Sequence, residues 1–370
     1  MLKMPLPMRS SKSSRRPALA LALQGGGAHG AFTWGVLDAL LEADRFDIQA
    51  LSGTSAGAMN AVALADGWQR GGPAGARERL GAFWTAVGAS VSLDAFLVGA
   101  PDEPSLAPAA RAMASWARLF SPQQLNPMGL NPLREVLASC IDFERLRATA
   151  APRLFIATTQ ANTGRLRLFQ NAELSVDVLL ASACLPTLQA AVVIDGQPYW
   201  DGGFSANPAL FPLVRDGADD LLIVCLSPLV YLDTPSSVEA IRERSLDFAF
   251  NVSFLREARA IAELAAVARA SRRHPAWAPL QWLASHRPFG RLELRLARLR
   301  THLIDAQADL GHLAQETRLI AHMPFLNKLF ALGRERARAW LDGPGLSVGQ
   351  ASSADLASLF GPEQALLAKA

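Results

Sequence analysis

Pro17-Ala18-Leu19-Ala20-Leu21-Ala22-Leu23-Gln24-Gly25-Gly26-Gly27-Ala28-His29-Gly30 is the stretch from which the rest of the chain can be read. Its first eight residues form a near-continuous apolar run of strand length, as expected of a strand buried on both faces of a parallel sheet. Four glycines follow at once, and they let the backbone turn sharply with its N–H groups open at the start of a helix. The helix itself is legible in Ala31–Ala43, where Val36, Leu37, Leu40 and Leu41 share a face. A basic start ahead of an apolar run also has the outline of a secretory signal. The apolar part is short, however, and the glycine turn stands where a cleavage region would be, so a first buried strand is the better reading.

Outward from this unit, strand-length apolar runs alternate with helical patterns. Ile48–Ser52 reads as a short strand and Ala56–Ala65 as a helix of small residues; Arg153–Thr159 and Leu221–Ser227 read as further buried strands. Ala191–Ile194 and Pro198–Trp200 flank Asp195-Gly196, a hairpin signal. The expectation is an α/β fold, a mostly parallel sheet flanked by helices. Residues 86–132 break the rhythm with Pro, Gly and isolated Phe96, Trp116, Leu119 and Phe120, and read as an insertion or lid. From Ser236 the pattern turns helical and Arg-rich. Around Leu292–Leu303 strand and helix periodicities both fit, and Leu313–Leu341 reads as helical with a break at Pro324. The expected layout is a basic disordered tail over 1–16, a catalytic domain over 17–235, a mainly helical extension over 236–345 packed on it, and a loosely ordered tail over 346–370. The apolar run from Leu221 toward Leu232 is broken by Ser227-Pro228 and is too short to span a bilayer.

The chain has 370 residues, half of them apolar and 19% charged, which supports a real core and excludes disorder. Its net charge of +3 is a sum over unlike blocks: +5 in residues 1–16, −7 in 17–235, +7 in 236–340 and −2 beyond. A nucleic-acid coat is therefore a poor reading, whereas the basic blocks fit peripheral contact with an anionic membrane or a partner. Cys140, Cys184 and Cys225 match no zinc, redox or disulfide spacing and read as small buried hydrophobes in a reducing, cytoplasmic setting.

Gly25 to Gly30 admits two chemistries. It matches the pyrophosphate-binding turn of dinucleotide folds, and it also matches the glycine-rich turns that present N–H groups as an oxyanion hole. Gly53-Thr54-Ser55-Ala56-Gly57 again joins a strand to a helix. A nucleophile elbow needs small residues two before and two after its serine, and Gly53 and Gly57 meet that need. An activated serine needs a base. His274, His286, His302, His312 and His322 all lie in Arg-rich, helix-like or linker sequence, and His29 is better placed as a positioning group. Asp201, in Trp200-Asp201-Gly202-Gly203, follows a strand, and two glycines let its carboxylate face another loop; Asp195 belongs to the hairpin turn. A dinucleotide-binding protein would instead place an acid at the end of the second strand, where this chain has Gly53-Thr54-Ser55. A catalytically silent lipid-binding protein would not need Ser55 and Asp201.

Taken together, the Gly25–Gly30 loop, Gly53–Gly57, and Asp201-Gly202-Gly203 approached through Ser182-Ala183-Cys184-Leu185-Pro186 resemble the ordered blocks of the patatin-like phospholipase family. The resemblance spans about residues 17–230. It implies a patatin-like three-layer fold, a Ser55–Asp201 dyad and hydrolysis of a lipid acyl ester with no metal or cofactor. It also implies oxyanion donors from Gly25, Gly26, Gly27 and Ala56, with His29, Gly30, Gly53, Gly57, Gly202 and Gly203 in support. Where that family usually carries Arg or Lys, this chain has His29, so any charge there is expected to titrate near the free-histidine pKa of ~6.5.

Overall fold

The computed structural model describes residues 16–90, 94–117, 119–149, 152–231, 233–273 and 288–360. The tail expected over 1–16 lies outside them except for Arg16, whose guanidinium pairs with Asp44; residues 361–370 lie outside as well.

The strands are β1 (Ala18–Leu23), β2 (Asp47–Thr54), β3 (Leu97–Ala100), β4 (Glu103–Leu106), β5 (Arg153–Gln160), β6 (Leu166–Gln170), β7 (Val192–Ile194), β8 (Gln197–Asp201), β9 (Asp220–Cys225) and β10 (Arg300–Asp305). The main sheet runs β10-β9-β1-β2-β5-β8-β7, with β6 also paired to β5. Neighbours from β10 through β5 are parallel, while β6, β8 and β7 add antiparallel pairs. The Ala-Leu alternation of β1 now has a meaning. Leu19, Leu21 and Leu23 enter one core with helices α1 (Gly30–Ala43) and α2 (Ala56–Ser90, two helical arms that fold back at a break over Gly71 and Gly72), and Ala20 and Ala22 enter a second core on the opposite face. The small alanines admit the Val238–Arg273 helix, whose Phe254, Ala258 and Ile261 are buried there. Sheet and helices therefore make three layers.

Residues 236–273 and 288–345 are integral to these layers. The Met323–Asp342 helix crosses α1 so closely that a Cβ at Gly35 would lie 2.0 Å from the Phe330 carbonyl oxygen, and one at Gly333 2.0 Å from that of Phe32. Pro324 sits in the first turn of this helix and starts it instead of breaking it. The ambiguous Leu292–Leu303 stretch is helix and then strand: Pro288–Arg298 is helical, and β10 joins the sheet edge beside β9. Residues 346–360, expected as a loose tail, are tied down. The Thr301 hydroxyl donates to the Ala354 carbonyl at 2.7 Å, and Leu356 and Phe360 are buried in the second core.

The opposed charges of the two blocks meet across this packing. Arg334 pairs with Asp38 and Glu42, Arg338 with Glu42, Arg300 with Asp220, and Lys328 with Asp102 and Glu103. Much of the basic excess of the extension thus faces the acidic part of the same chain. Residues 86–132 hold the end of α2, the β3–β4 hairpin and helices at Pro108–Ala117 and Pro122–Leu125. Cys140, Cys184 and Cys225 are buried and unpaired.

Candidate active site

The two chain segments that carry the site meet along β5. Thr54, the last residue of β2, pairs with Ala157; the next residue of β5, Thr158, pairs with Asp201, the last residue of β8. Ala157 and Thr158 both pair with β6 on their other side. Parallel β2 and antiparallel β8 therefore run toward each other along one edge of β5 and stop end to end. Ser55 and Asp201 are brought together by that junction.

Ser55 sits at φ +53°, in the left-handed region that a non-glycine residue occupies only when its surroundings hold it there. The elbow is tight. A Cβ at Gly53 would lie 2.5 Å from the Gly57 carbonyl oxygen, and one at Gly57 would lie 2.1 Å from that of Leu23. The Ser55 N–H donates to the Ser182 hydroxyl at 3.0 Å, which donates in turn to the Ala157 carbonyl at 2.7 Å. The Thr54 hydroxyl donates to the Ala206 carbonyl at 2.7 Å. The Ser55 hydroxyl neighbours the Asp201 carboxylate and favours its charged form.

Asp201 is 1% exposed. Burial pushes its carboxyl up to about 7, against the opposing pull of the Gly203 N–H, which donates to Oδ1 at 2.7 Å, and of the Ser55 hydroxyl. Gly202 has no room for a side chain, since a Cβ there would lie 2.3 Å from the Ala157 carbonyl oxygen. Asp195, by contrast, sits exposed in the hairpin turn at φ +49°, followed by Gly196 at +74°.

The glycine loop lies over Ser55, and one expectation about it is corrected. The Gly25 N–H donates to the Asn207 side-chain oxygen at 2.7 Å, so it is not a free oxyanion donor. Gly25 serves by being small: a Cβ there would lie 2.8 Å from the Ser55 Cβ. The N–H groups of Gly26, Gly27 and Ala56 have no partner among the described residues. Gly27 holds φ +59° with the Arg318 carbonyl oxygen pressed where a Cβ would be, at 2.2 Å. Asn60 braces the loop from α2, donating to the Gly30 carbonyl at 2.9 Å and accepting from the Trp84 indole at 3.0 Å.

His29 is also corrected. It is 3% exposed, and burial together with the nearby Arg318 charge lowers its pKa to about 3, so it is neutral and carries no charge that titrates near neutrality. Its Nε2 lies 2.8 Å from the Thr317 hydroxyl, which itself donates to the Ala314 carbonyl. The Thr317 oxygen is therefore the acceptor and His29 Nε2 the donor. The ring pins the glycine loop to the 315–319 turn of the C-terminal region.

Ser55, Asp201, Gly26 and Gly27 lie in the wall of a cavity of about 1260 Å³. Met59, Phe83, Trp84, Val87 and Leu133 make an apolar side, while Arg242, Asp247, Glu316 and Arg318 make a charged one. No histidine lines it among the described residues. His302 is buried at the opposite end of the sheet between Asp220 and Ser353, and His274 and His286 lie outside the described residues. Sequence reasoning missed Asn207, Gln24, Thr317 and Arg318. Gln24 accepts from the Leu226 and Ser227 N–H groups and donates to Asn251, fixing the end of β1 against β9.

The family model for patatin-like phospholipase matches residues 21–214. The chain belongs to the patatin-like phospholipase family. Members of that family are lipid acyl hydrolases. Among solved structures the chain is similar to VipD from Legionella pneumophila (14% identity, 87% of this chain and 67% of that one, TM-score 0.36). It is also similar to full-length ExoU, solved with full-length SpcU from the type III secretion system of Pseudomonas aeruginosa (17% identity, 96% of this chain and 88% of that one, TM-score 0.27). No curated protein matches the chain.

Proposed function

We propose that the protein is a serine acyl-ester hydrolase acting on lipid esters, of phospholipase A or lysophospholipase type, with Ser55 as nucleophile and Asp201 as general base. The observation that carries this reading is the Ser55 hydroxyl beside the buried Asp201 carboxylate, in a cavity with one apolar side. As Ser55 Oγ attacks the ester carbonyl, its proton passes to the Asp201 carboxylate. The carbonyl oxygen becomes an oxyanion that the N–H groups of Gly26, Gly27 and Ala56 receive, each good donor contributing about 3–4 kcal/mol. Collapse breaks the bond to the leaving alcohol, and Asp201 returns the proton to it. Water then attacks the acyl-Ser55 ester, giving its proton to Asp201, and the fatty acid departs as Ser55 recovers its proton. A base raised to about 7 by burial suits this exchange far better than a solvated carboxylate near ~3.9. The cavity's apolar side fits an acyl chain, and its charged side fits a polar headgroup.

The test is a panel of phospholipids, lysophospholipids and p-nitrophenyl esters offered to the native chain and to Ser55→Ala. Hydrolysis by the native chain that Ser55→Ala abolishes is the expected result. Equal hydrolysis by both would remove Ser55 from the reaction.

A further inference from the structure

The exposed side chains that line the cavity include four large apolar ones beside the charged Arg111, Glu239 and Arg242. Phe120, Leu188, Leu246 and Leu319 all line it, and all four are nonetheless exposed. They come from four separate places: the insertion, the loop before β7, the Val238–Arg273 helix and the 315–319 turn. From Phe120 the apolar surface continues outward over the insertion. Arg111, Ala114 and Ser115 of the Pro108–Ala117 helix face the cavity, while Met113 and Trp116 of the same helix face solvent. Trp116 is 68% exposed and Leu119 75%. Nine of the 22 exposed large apolar side chains among the described residues fall within residues 94–130, a concentration that scattered surface apolar residues do not produce. Within it, residues 104–134 hold no Asp or Glu, and the Asp102 and Glu103 that precede them pair with Lys328.

We propose that this face docks on the surface of a lipid bilayer, with Trp116 and Leu119 inserted at the headgroup level and the cavity mouth set against the membrane. The inference rests on the reading of the site as a lipid acyl hydrolase. Three observations favour a bilayer as the occupant. The apolar surface is continuous with the mouth of the cavity that would take the acyl chain. An exposed Trp beside Leu and Phe is the composition of an interfacial anchor. Acids, which a headgroup phosphate would repel, are absent from residues 104–134, the stretch that carries Trp116 and Leu119. Attraction to anionic lipid is not the driving force. Arg111 is paired with Glu316 and Arg318 with Asp247, so the charges at the cavity are largely matched, and apolar insertion dominates. A lipid could then pass from the membrane to Ser55 without crossing water.

The experiment is co-sedimentation of the full chain, carrying Ser55→Ala so that no lipid is consumed, with phosphatidylcholine vesicles at low and high salt. The expected result is binding to these zwitterionic vesicles that survives high salt. Trp116→Ser with Leu119→Ser should lower the partition coefficient at least about tenfold, the scale expected for withdrawing two large apolar side chains from lipid. The same pair, on the native background, should leave thermal unfolding and the turnover of a monomeric short-chain ester unchanged. Undiminished partition of the paired variant overturns the proposal, as does an absence of binding. Binding that requires anionic lipid and vanishes in salt also overturns it and assigns the contact to basic residues. Self-association that the paired substitution disperses, without vesicle binding, would assign the face to a second copy. A chain that docks but hydrolyses no ester would leave this proposal standing and remove the functional reading instead.

Discussion

Replacing Asp201 by Asn changes one buried carboxyl and little else. The amide keeps an oxygen for the Gly203 N–H and a polar group for Ser55. In the native fold the carboxyl holds its proton up to about pH 7, whereas its ordinary value is 3.8. Between those two pH values the unfolded chain has released the proton and the folded chain has kept it. Stability from this group is thus fully present below the lower value and falls by about 1.4 kcal/mol per pH unit through the window. The loss reaches about 4 kcal/mol at neutral pH and is flat above. His29 works the other way. Its folded pKa is lowered from 6.5 to about 3, so its contribution is present above the higher value and is lost as the pH falls toward the lower one. The two slopes oppose each other from about pH 4 to 6.5 in the native protein, and Asp201→Asn exposes that of His29. Urea denaturation of both proteins across pH ~4–8 checks this. The stability of Asp201→Asn minus that of the native chain should rise by about 4 kcal/mol from acid to neutral pH and then level. Parallel curves would refute the desolvated carboxyl. In the same pair, turnover should drop by about 10²–10⁴-fold with the base removed. Native kcat/KM should climb with pH and level above about 7, as the carboxylate forms.

Gly25→Ala places a methyl group 2.8 Å from the Ser55 Cβ, so turnover should fall by about 10²-fold with circular dichroism unchanged. Native turnover would sink the close approach of loop and nucleophile. His29→Gln keeps a donor for Thr317 and removes the buried imidazole. The activity–pH profile should keep its shape near pH 6.5, while the acid loss of stability below that pH flattens, as thermal unfolding at several pH values would show. Against the upward push of burial, Asp220 is held well below the usual carboxylate range by Arg300, by His302 and by the Gly349 N–H. Asp220→Asn leaves buried partners unmatched and should cost about 3–5 kcal/mol in urea denaturation, with activity per folded molecule intact, because the cluster lies at the start of β9, away from Ser55.

What could be read from the chain was local. The Ala-Leu run, the glycine turn and the Gly53–Gly57 elbow each constrain their own backbone, and Asp201 announces itself through the strand before it and the glycines after it. Residues that act through distant partners leave no such trace. Asn207 is separated from Gly25 by 182 positions and Thr317 from His29 by 288, and neither pairing has a local pattern. The same holds for Gly25 itself, whose N–H looked like an oxyanion donor until a side chain from another loop was seen to occupy it. His29 resembles a titratable switch in sequence because burial, which sets its pKa, is a tertiary property. Leu292–Leu303 satisfied two periods because a helix hands over to a strand inside it, at Leu299. The opposite charges of the two blocks suggested an outward basic face, yet several of those arginines pair with acids of the same chain.

Active-site labelling measures whether Asp201 makes Ser55 a reactive nucleophile. The full chain is treated with a fluorophosphonate and the modified peptide is identified by mass spectrometry, alongside Ser55→Ala and Asp201→Asn. One adduct is expected, on Ser55, absent in Ser55→Ala and formed far more slowly in Asp201→Asn. An adduct on another residue, or labelling of Asp201→Asn at the native rate, would contradict it.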